Sequence, residues 1–343
     1  MEYHSLGRTG IRVSPLCLGA MMFGAWGNPD HDDSIRIIHR AVDEGINFID
    51  TADVYSAGES EEIVGKALSG LDRSRIVLAT KVHAQMGDDP NARGNSRRWI
   101  IEECEHSLRR LGTDYIDLYQ IHRPDEAVDV DQTLGALSDL LHAGKIRAFG
   151  SSTFPSEQIV EAQWIAERRG RERFMTEQPP YSLLVRGIER DVLPTAQAYG
   201  MGVIPWSPLA GGWLSGRFGE GKDNTSRRAS RIPTRYDLSI PGNQRKLELV
   251  TELSSVAEEA GLSLIELALA FVLEHPAISA AIIGPRTMEQ LESQLSAPSI
   301  VLEPAILDRL DEIVAPGTNV NAADAGWSPQ ALEKARLRRR HYR

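Results

Sequence analysis

The sequence predicts a closed (β/α)8 TIM barrel, an α/β fold in which parallel strands alternate with helices. Short segments rich in β-branched and apolar residues alternate along the 343-residue chain with segments of helical periodicity. Eight strand–helix units in about 300 residues fit a closed barrel better than an open sheet. No Gly-x-Gly-x-x-Gly motif follows any strand, which argues against the alternative of a doubly wound sheet. The strand segments are residues 13–22, 47–50, 76–81, 115–122, 146–152, 174–178, 202–206 and 281–284.

Helical segments follow most of these strands, and their ends carry recognisable signals. Ser60 and Ser96 stand where a hydroxyl can accept a hydrogen bond from a free backbone N–H at a helix start. Glycines 45, 112, 144, 170 and 200 follow helices, where a left-handed residue ends the helix at low cost. The clearest helical segments are residues 32–44, 59–68, 96–111, 131–142, 156–169 and 189–199.

Three segments lie outside this alternating pattern. Residues 3–6 and 11–13 flank a turn and predict an N-terminal β-hairpin that caps the bottom of the barrel. Residues 217–244 are polar and weakly periodic, and a loop this long in a compact domain is usually functional. The basic stretch at 336–341 is interpreted as a solvated chain end. We therefore expect one domain over residues 1–343, with the hairpin at 3–13, the barrel at about 14–300 and a helical C-terminal extension at about 301–343.

The composition excludes several classes of protein. The net charge of −10 argues against a general binder of nucleic acid or of membrane surfaces. Cys17 and Cys104 are the only cysteines, so neither a disulfide framework nor a thiolate metal site is expected. The sequence shows no secretory signal pattern and no apolar run of the length that a membrane span needs. We expect a cytoplasmic protein with no bound metal, and a monomer as its simplest state.

Polar side chains stand at the C-terminal ends of successive strands, where barrels of this kind place their active sites. Asp50 and Tyr55 follow the second strand, Lys81 ends the third and His122 ends the fourth. Each of these residues alone has an ordinary structural explanation, such as a loop acceptor for Asp50 or a packing role for Tyr55. Together, at neighbouring strand ends, an acid, a phenol, an ammonium and an imidazole predict an active site.

Other reaction classes are less well supported by the sequence. It contains neither a Gly-x-Ser-x-Gly nucleophile elbow nor a Gly-x-x-x-x-Gly-Lys-Ser/Thr loop, which argues against esterase and nucleotidase functions. A Schiff-base aldolase that uses Lys81 stays open at this point. That reaction needs a pocket that lowers the pKa of the lysine, whereas a neighbouring Asp50 would keep the ammonium charged.

The same residues carry a family resemblance. Segments 48–55, 79–81 and 117–125 closely match the aldo-keto reductases, and the match extends from about residue 3 to residue 315. The resemblance implies a barrel that binds NADP(H) without a Rossmann domain and reduces carbonyl compounds to alcohols. It assigns a catalytic tetrad to Asp50, Tyr55, Lys81 and His122.

Physical chemistry supports the roles that the resemblance implies for this tetrad. Tyr55 would donate a proton to the developing alkoxide, and a charged Lys81 beside it would stabilise the resulting phenolate. Asp50 would hold Lys81 in place and keep it protonated. His122 would orient and polarise the oxygen of the substrate carbonyl. The cofactor would supply the hydride.

The resemblance also implies a set of cofactor contacts, with some departures from the family pattern. Thr153 replaces an asparagine that holds the nicotinamide carboxamide, and a hydroxyl offers fewer hydrogen bonds than an amide. Gln290 and Gln294 replace an arginine and an asparagine at the adenosine end, which leaves Arg286 to carry the 2′-phosphate charge. NADP(H) is therefore expected, with NAD(H) as a weaker alternative. The full set is Ser152, Thr153, Gln178, Trp206, Ser207, Pro208, Leu209, Gly211, Arg217, Gly284, Arg286, Gln290 and Gln294.

Two further expectations follow from the resemblance. The substrate is a small carbonyl compound, held in a pocket built by Met22, Phe23, Trp26, Tyr55, His83, the loop after the fourth strand and residues 217–244. The second expectation is an alternative function, because some members of the family ride on membrane channels and use the bound cofactor as a sensor. The tetrad permits both functions, and the acidic chain favours the free enzyme.

Overall fold

The computed structural model describes residues 1–218 and 232–338. An N-terminal hairpin pairs β1 (His4–Ser5) with β2 (Arg12–Val13) in antiparallel register. The strands that follow are β3 (Leu16–Gly19), β4 (Phe48–Asp50), β5 (Val77–Val82), β6 (Ile116–Ile121), β7 (Ile146–Ser151), β8 (Thr176–Glu177), β9 (Gly202–Val203) and β10 (Ala281–Ile283).

These eight strands, β3 to β10, form one parallel sheet that closes on itself. Neighbours in the chain are neighbours in the sheet from β3 to β9, and β10 pairs with β3. A parallel bridge between Val203 and Ile278 joins the two ends of the sheet. The N–H of Ile282 also donates to the carbonyl of Pro205 at 2.9 Å. The predicted (β/α)8 barrel with its N-terminal hairpin is confirmed.

Several strands are shorter than the sequence pattern predicted, β8 and β9 most severely. The predicted segments 174–178 and 202–206 are reduced to β8 and β9, with two residues each. Pro205 stands inside the second predicted segment, and proline has no N–H to donate to the sheet. Its carbonyl still accepts from β10, so the barrel closes around this break.

Most helices lie between the strands, and the six that the sequence predicted have bounds close to the predicted ones. They are α1 (His31–Asp43), α2 (Glu59–Leu68), α3 (Arg97–Leu111), α4 (Val130–His142), α5 (Ser156–Arg169), α6 (Val192–Tyr199), α7 (Pro241–Glu259), α8 (Leu264–Glu274), α9 (Met288–Glu292), α10 (Pro304–Ile313) and α11 (Gln330–Glu333). Helices α10 and α11 belong to the C-terminal extension. No helix of the described residues is long and apolar enough to cross a membrane.

The helix-end predictions had mixed outcomes. Ser96 caps α3 and accepts from the N–H of Trp99, and the five predicted glycines all have positive φ. The prediction for Ser60 was wrong, because α2 begins at Glu59 and Ser60 lies inside its first turn. Gly58 occupies the N-cap position in a left-handed conformation. The buried hydroxyl of Ser60 instead donates to the carbonyl of Ala20 and pairs with Thr51.

The segment at 217–244 is not one loop. Helix α7 begins at Pro241, and a short 3-10 turn spans Pro233–Arg235. The pair α7 and α8, between β9 and β10, was not identified from the sequence. Residues 219–231, like residues 339–343 at the end of the basic tail, lie outside the described residues.

The core has two parts, as expected for a barrel covered by helices. Inside the sheet, Leu6 and Val13 of the hairpin pack with inward-facing residues of the strands, so the hairpin closes the bottom of the barrel. The larger cluster lies between the outer face of the sheet and the helices. The bottom and the wall are therefore filled by apolar side chains, which leaves the C-terminal strand ends as the polar mouth of the barrel.

Candidate active site

The predicted catalytic residues meet at the mouth of the barrel. Lys81, near the end of β5, is completely buried, and its ammonium donates to the Asp50 carboxylate. The same ammonium lies 2.7 Å from the carbonyl oxygen of Thr51 and 3.4 Å from the hydroxyl of Tyr55. Three of the four residues thus form one continuous chain of contacts, from carboxylate to ammonium to phenol.

Tyr55 is held by a tight turn that starts α2. Ser56 and Ala57, the two residues after it, have φ values of 50° and 58°. Left-handed conformations are costly for residues other than glycine and persist only where the surroundings enforce them. Here the backbone N–H of Trp26 donates to the Ser56 hydroxyl at 3.0 Å, which links the turn to the loop between β3 and α1.

His122 completes the group from the end of β6. Its ring meets the Tyr55 ring edge to face, with centroids 5.8 Å apart and planes at 81°. Burial, reinforced by the positive charges of Arg123 and Lys81, lowers the pKa of His122 well below its usual value. The imidazole is therefore neutral near pH 7 and can donate one ring N–H.

The charge of Lys81 is well supported. Burial by itself lowers the pKa of this ammonium, but Asp50 and Tyr55 raise it, and the net direction is upward. The second oxygen of Asp50 accepts from the side-chain amides of Gln120 at 3.0 Å and Gln178 at 2.9 Å. The role of Gln120 was missed from the sequence, although the alternation along β6 places its side chain on the inner face.

The predicted nicotinamide contacts lie next to this group. The hydroxyl of Ser152 donates to the carbonyl of Gln178 at 2.8 Å, and Trp206 Nε1 lies 3.4 Å from the hydroxyl of Thr153. Thr153 has a φ of 59°. Asparagine tolerates this left-handed conformation better than a β-branched residue does, so the departure from the family pattern has a backbone cost as well as a hydrogen-bonding one.

The C-terminal extension covers part of the same area. A Cβ placed on Gly326 would lie 2.9 Å from side-chain atoms of both Thr153 and Trp206. Asp324, two residues earlier, forms ion pairs with Lys246 and Arg235. This contact joins residues far apart in the chain, and no local sequence pattern signals it.

A shallow cleft runs beside Trp206. Ser207 and Gly211, two of the predicted cofactor contacts, line it together with Tyr236 and Asp324. Pro208 and Leu209 lie on the same loop after β9. Arg217 is exposed at the edge of the described residues, and the structure does not bring it to this cleft.

The predicted adenosine-end residues follow β10. A Cβ on Gly284 would meet nothing within 4 Å, so space is open beside this backbone. The side-chain oxygen of Gln290 accepts from the N–H of Arg286 at 2.8 Å, and Gln294 donates to the carbonyl of Gln290. Both glutamines therefore tie down their own short helix, α9, which leaves Arg286 as the cation of this segment.

Glu177, at the end of β8, is a buried acid that the sequence analysis did not assign to the site. Its carboxylate accepts from the Ser151 hydroxyl at 2.5 Å and from the N–H of Phe154 at 3.1 Å. Burial raises its pKa to about 7, against the lowering effect of these hydrogen bonds.

No group of three or more His, Cys, Asp or Glu residues within 1–218 and 232–338 is arranged to hold a metal ion.

Comparison with known proteins gives consistent results. The Aldo/keto reductase family model matches residues 15–315. The oxidoreductase YrpG of Bacillus subtilis is 43% identical over 323 residues, which cover 91% of this chain and 96% of that protein. A putative voltage-gated potassium channel subunit beta of Schizosaccharomyces pombe is 36% identical, with 92% and 93% covered. Versiconal hemiacetal acetate reductase of Aspergillus parasiticus is 34% identical, with 92% and 98% covered. The chain therefore belongs to the aldo/keto reductase family.

Proposed function

We propose that the protein reduces aldehydes or ketones to alcohols with NADPH, with Tyr55 as the general acid. The observation that carries this proposal is the contact chain from Asp50 through Lys81 to Tyr55, with His122 beside the phenol. A proton donor, a fixed positive charge and a neutral N–H donor converge on one point at the mouth of the barrel. Such a point suits an oxygen that becomes negative during the reaction.

Each residue has one step in this proposal. Tyr55 gives its proton to the carbonyl oxygen of the substrate, and the nearby Lys81 ammonium stabilises the phenolate left behind. Asp50 keeps Lys81 charged and in place, and the amides of Gln120 and Gln178 fix Asp50 in turn. The neutral His122 donates a hydrogen bond to the same carbonyl oxygen. NADPH, when bound, supplies the hydride for the carbonyl carbon.

The residues present fit a nicotinamide cofactor. Because the Asp50 carboxylate only accepts hydrogen bonds, Gln178 must turn its Nε2 toward it. Its Oε1 accepts from no described residue and is left to accept from an amide of the cofactor. Ser152 and Thr153 supply hydroxyls beside it, and Trp206 supplies a partly exposed aromatic face for stacking. Arg286 would meet the 2′-phosphate of NADPH.

Two alternatives are separated from this proposal by specific observations. The raised pKa of Lys81 argues against an aldolase, because a charged ammonium cannot attack a carbonyl. A cofactor-binding subunit with little turnover is the second candidate, supported by the relative named as a potassium channel subunit beta. Both candidates predict NADPH binding, so turnover decides between them.

The test is the loss of NADPH absorbance at 340 nm with a panel of aldehydes and ketones. Tyr55→Phe should lower kcat by at least about 100-fold, because it removes the acid but little packing volume. Affinity for NADPH, followed by quenching of tryptophan fluorescence, should stay close to wild type.

Tyr115→Phe is the matched control, since Tyr115 precedes β6 at the opposite end of the barrel. A Tyr55→Phe protein that keeps wild-type turnover would remove Tyr55 as the acid. A wild-type protein that binds NADPH but reduces no carbonyl compound would favour the cofactor-binding subunit instead.

A further inference from the structure

Arg123 places a second positive charge, a guanidinium, at the mouth of the barrel beside that of Lys81. It directly follows His122, and its Nη1 donates to the His122 carbonyl at 2.5 Å and lies 3.5 Å from the Ser152 hydroxyl. Its Cζ stands 5.9 Å from the centre of the Trp206 ring. The guanidinium thus lies among three residues of the proposed site.

This guanidinium is only partly exposed, and no carboxylate of the described residues forms an ion pair with it. Two other arginines that are largely withdrawn from solvent are paired: Arg110 contacts both Glu61 and Glu103, and Arg186 contacts both Glu189 and Asp311. Withdrawing a charge from water without a counter-charge is costly. Burial lowers the pKa of Arg123, as expected for a cation in this position.

The nearby acids are committed elsewhere. Asp50 is paired with Lys81, and the carboxylate oxygens of Glu177 are bonded to Ser151 and to the N–H of Phe154. Nη1 of Arg123 has two protein acceptors, whereas Nε and Nη2 have none among the described residues. The side chain therefore keeps N–H donors for a partner that the described protein does not supply.

We propose that Arg123 binds an anionic group of the substrate, so that the preferred substrates are carbonyl compounds carrying a carboxylate or a phosphate. This inference rests on the proposed carbonyl reduction, because it places the anion next to the carbonyl bound by Tyr55 and His122. A guanidinium binds both anions through paired N–H donors. Arg123 is then a specificity residue that acts on substrate binding.

The experiment compares substrates that differ only in the anionic group. One pair is 4-carboxybenzaldehyde and 4-methylbenzaldehyde, and the other is glycolaldehyde phosphate and glycolaldehyde. The wild-type enzyme should prefer the anionic member of at least one pair. The pair with the larger ratio of kcat/KM values then identifies the carboxylate or the phosphate as the group that is recognised.

Arg123→Met should lower this ratio about 10- to 100-fold, mainly by raising KM for the anionic substrate, as expected for a charge-assisted contact. Arg123→Lys should restore part of the preference, because it keeps the charge but loses the planar fork. Arg109→Met, on an exposed position of α3, is the control and should leave the ratio unchanged.

Two kinetic results would overturn the inference. An equal loss on charged and neutral substrates would assign Arg123 a structural role, for example in holding Trp206. A weaker affinity for NADPH with an unchanged ratio would assign it to the cofactor.

A separate binding measurement distinguishes failure of this inference from failure of the proposed function. Calorimetry with 4-carboxybenzaldehyde and with glycolaldehyde phosphate on the NADPH-loaded Tyr55→Phe protein needs no turnover. Binding that Arg123→Met weakens supports the inference even if the wild type reduces nothing. Binding of both anions that ignores Arg123, or no binding of either, contradicts it.

Discussion

Burying an ammonium inside a barrel destabilises the fold unless a counter-charge accompanies it. The Lys81 ammonium is paired with the Asp50 carboxylate. That carboxylate also accepts hydrogen bonds from two side-chain amides. Each of the two charges can therefore be buried without a large loss of folding free energy only when the other is present. The phenol of Tyr55 lies at the open end of this pair, where the ammonium can respond to the loss of its proton.

Replacement of Lys81 by methionine tests this arrangement at the level of one residue. Methionine fills much of the same volume but removes the charge, so kcat should fall by about 100-fold or more. The residual activity should show a changed pH–rate profile between pH 5.5 and 9.5, since the phenolate has lost its neighbouring cation. A profile with the wild-type shape would mean that Lys81 does not act on the proton donor.

Lys81→Met also leaves Asp50 as a buried carboxylate without its cation, which can impair folding. The double variant Asp50→Asn, Lys81→Met removes both charges and keeps the amide contacts possible. Lys334→Met, at an exposed position of the C-terminal extension, is the control for loss of a lysine elsewhere. If the folded double variant retained wild-type turnover, neither charge would be needed for the reaction.

At the level of elements, the loops that follow the strands carry the strained backbone. Thr153 follows β7 and Ser207 follows β9, and both have φ values of 59°. The two loops lie side by side, because Trp206, next to Ser207 in the loop after β9, reaches the hydroxyl of Thr153. The strands and helices around these loops keep ordinary geometry, so the cost of the unusual conformations is confined to the mouth of the barrel.

The segment between β10 and α9 is the element that should set cofactor preference. Arg286 is anchored there through its backbone, since its N–H donates to Gln290 and its carbonyl accepts from Asn28 at 3.1 Å. A charge-assisted contact to a 2′-phosphate is worth about 1.5–3 kcal/mol, or about 10- to 100-fold in affinity. Arg286→Ala should raise Kd for NADPH by that factor and leave Kd for NADH almost unchanged.

Fluorescence titrations with both cofactors measure this effect, and added salt should reduce it. Arg109→Ala on α3 serves as the matched control. If both cofactors weaken equally in Arg286→Ala, or neither weakens, the 2′-phosphate is bound elsewhere. Arg217→Ala is then the next variant to measure, because Arg217 is a basic residue among the predicted cofactor contacts.

At the scale of the whole molecule, the sequence was most informative where the structure is regular. Parallel strands covered on both faces appear in the sequence as apolar runs, and glycines mark the ends of the helices between them. The alternation of strands and helices, and with it the order of the barrel strands, was therefore predictable. Lys81 and His122 could be placed at the mouth because all strands of a parallel barrel end on the same side. Ser152 and Thr153 could be placed at the mouth on the same argument, because they follow a barrel strand. The left-handed conformation of Thr153 could not be predicted.

What the sequence did not reveal depends on contacts between distant parts of the chain. Gly326 reaches Thr153 and Trp206 from the C-terminal extension, and no periodicity reports such an approach. Arg123 fell within the matched segment 117–125. Only the three-dimensional structure shows that no carboxylate of the described residues forms an ion pair with it. Strands β8 and β9 are short for a local reason, because prolines stand near their ends. The apolar pattern of the sequence did not indicate this shortening.

The stability of the whole barrel should depend on pH through Glu177. Its pKa is about 7 in the folded protein, because burial disfavours the carboxylate, and close to 4.3 in an unfolded chain. Between these values the folded state holds more protons, so the free energy of unfolding falls as pH rises through this window. Between pH 5 and pH 8 the fall attributable to Glu177 is about 2.5 kcal/mol. Glu177→Gln stays neutral and can still accept from the N–H of Phe154, so its free energy of unfolding should not show this fall.

Urea unfolding of both proteins at pH 5 and pH 8 measures the difference, in which the other titrating groups cancel. Parallel behaviour of the two proteins would mean that Glu177 is ionised in the fold at both pH values, as it is in the unfolded chain.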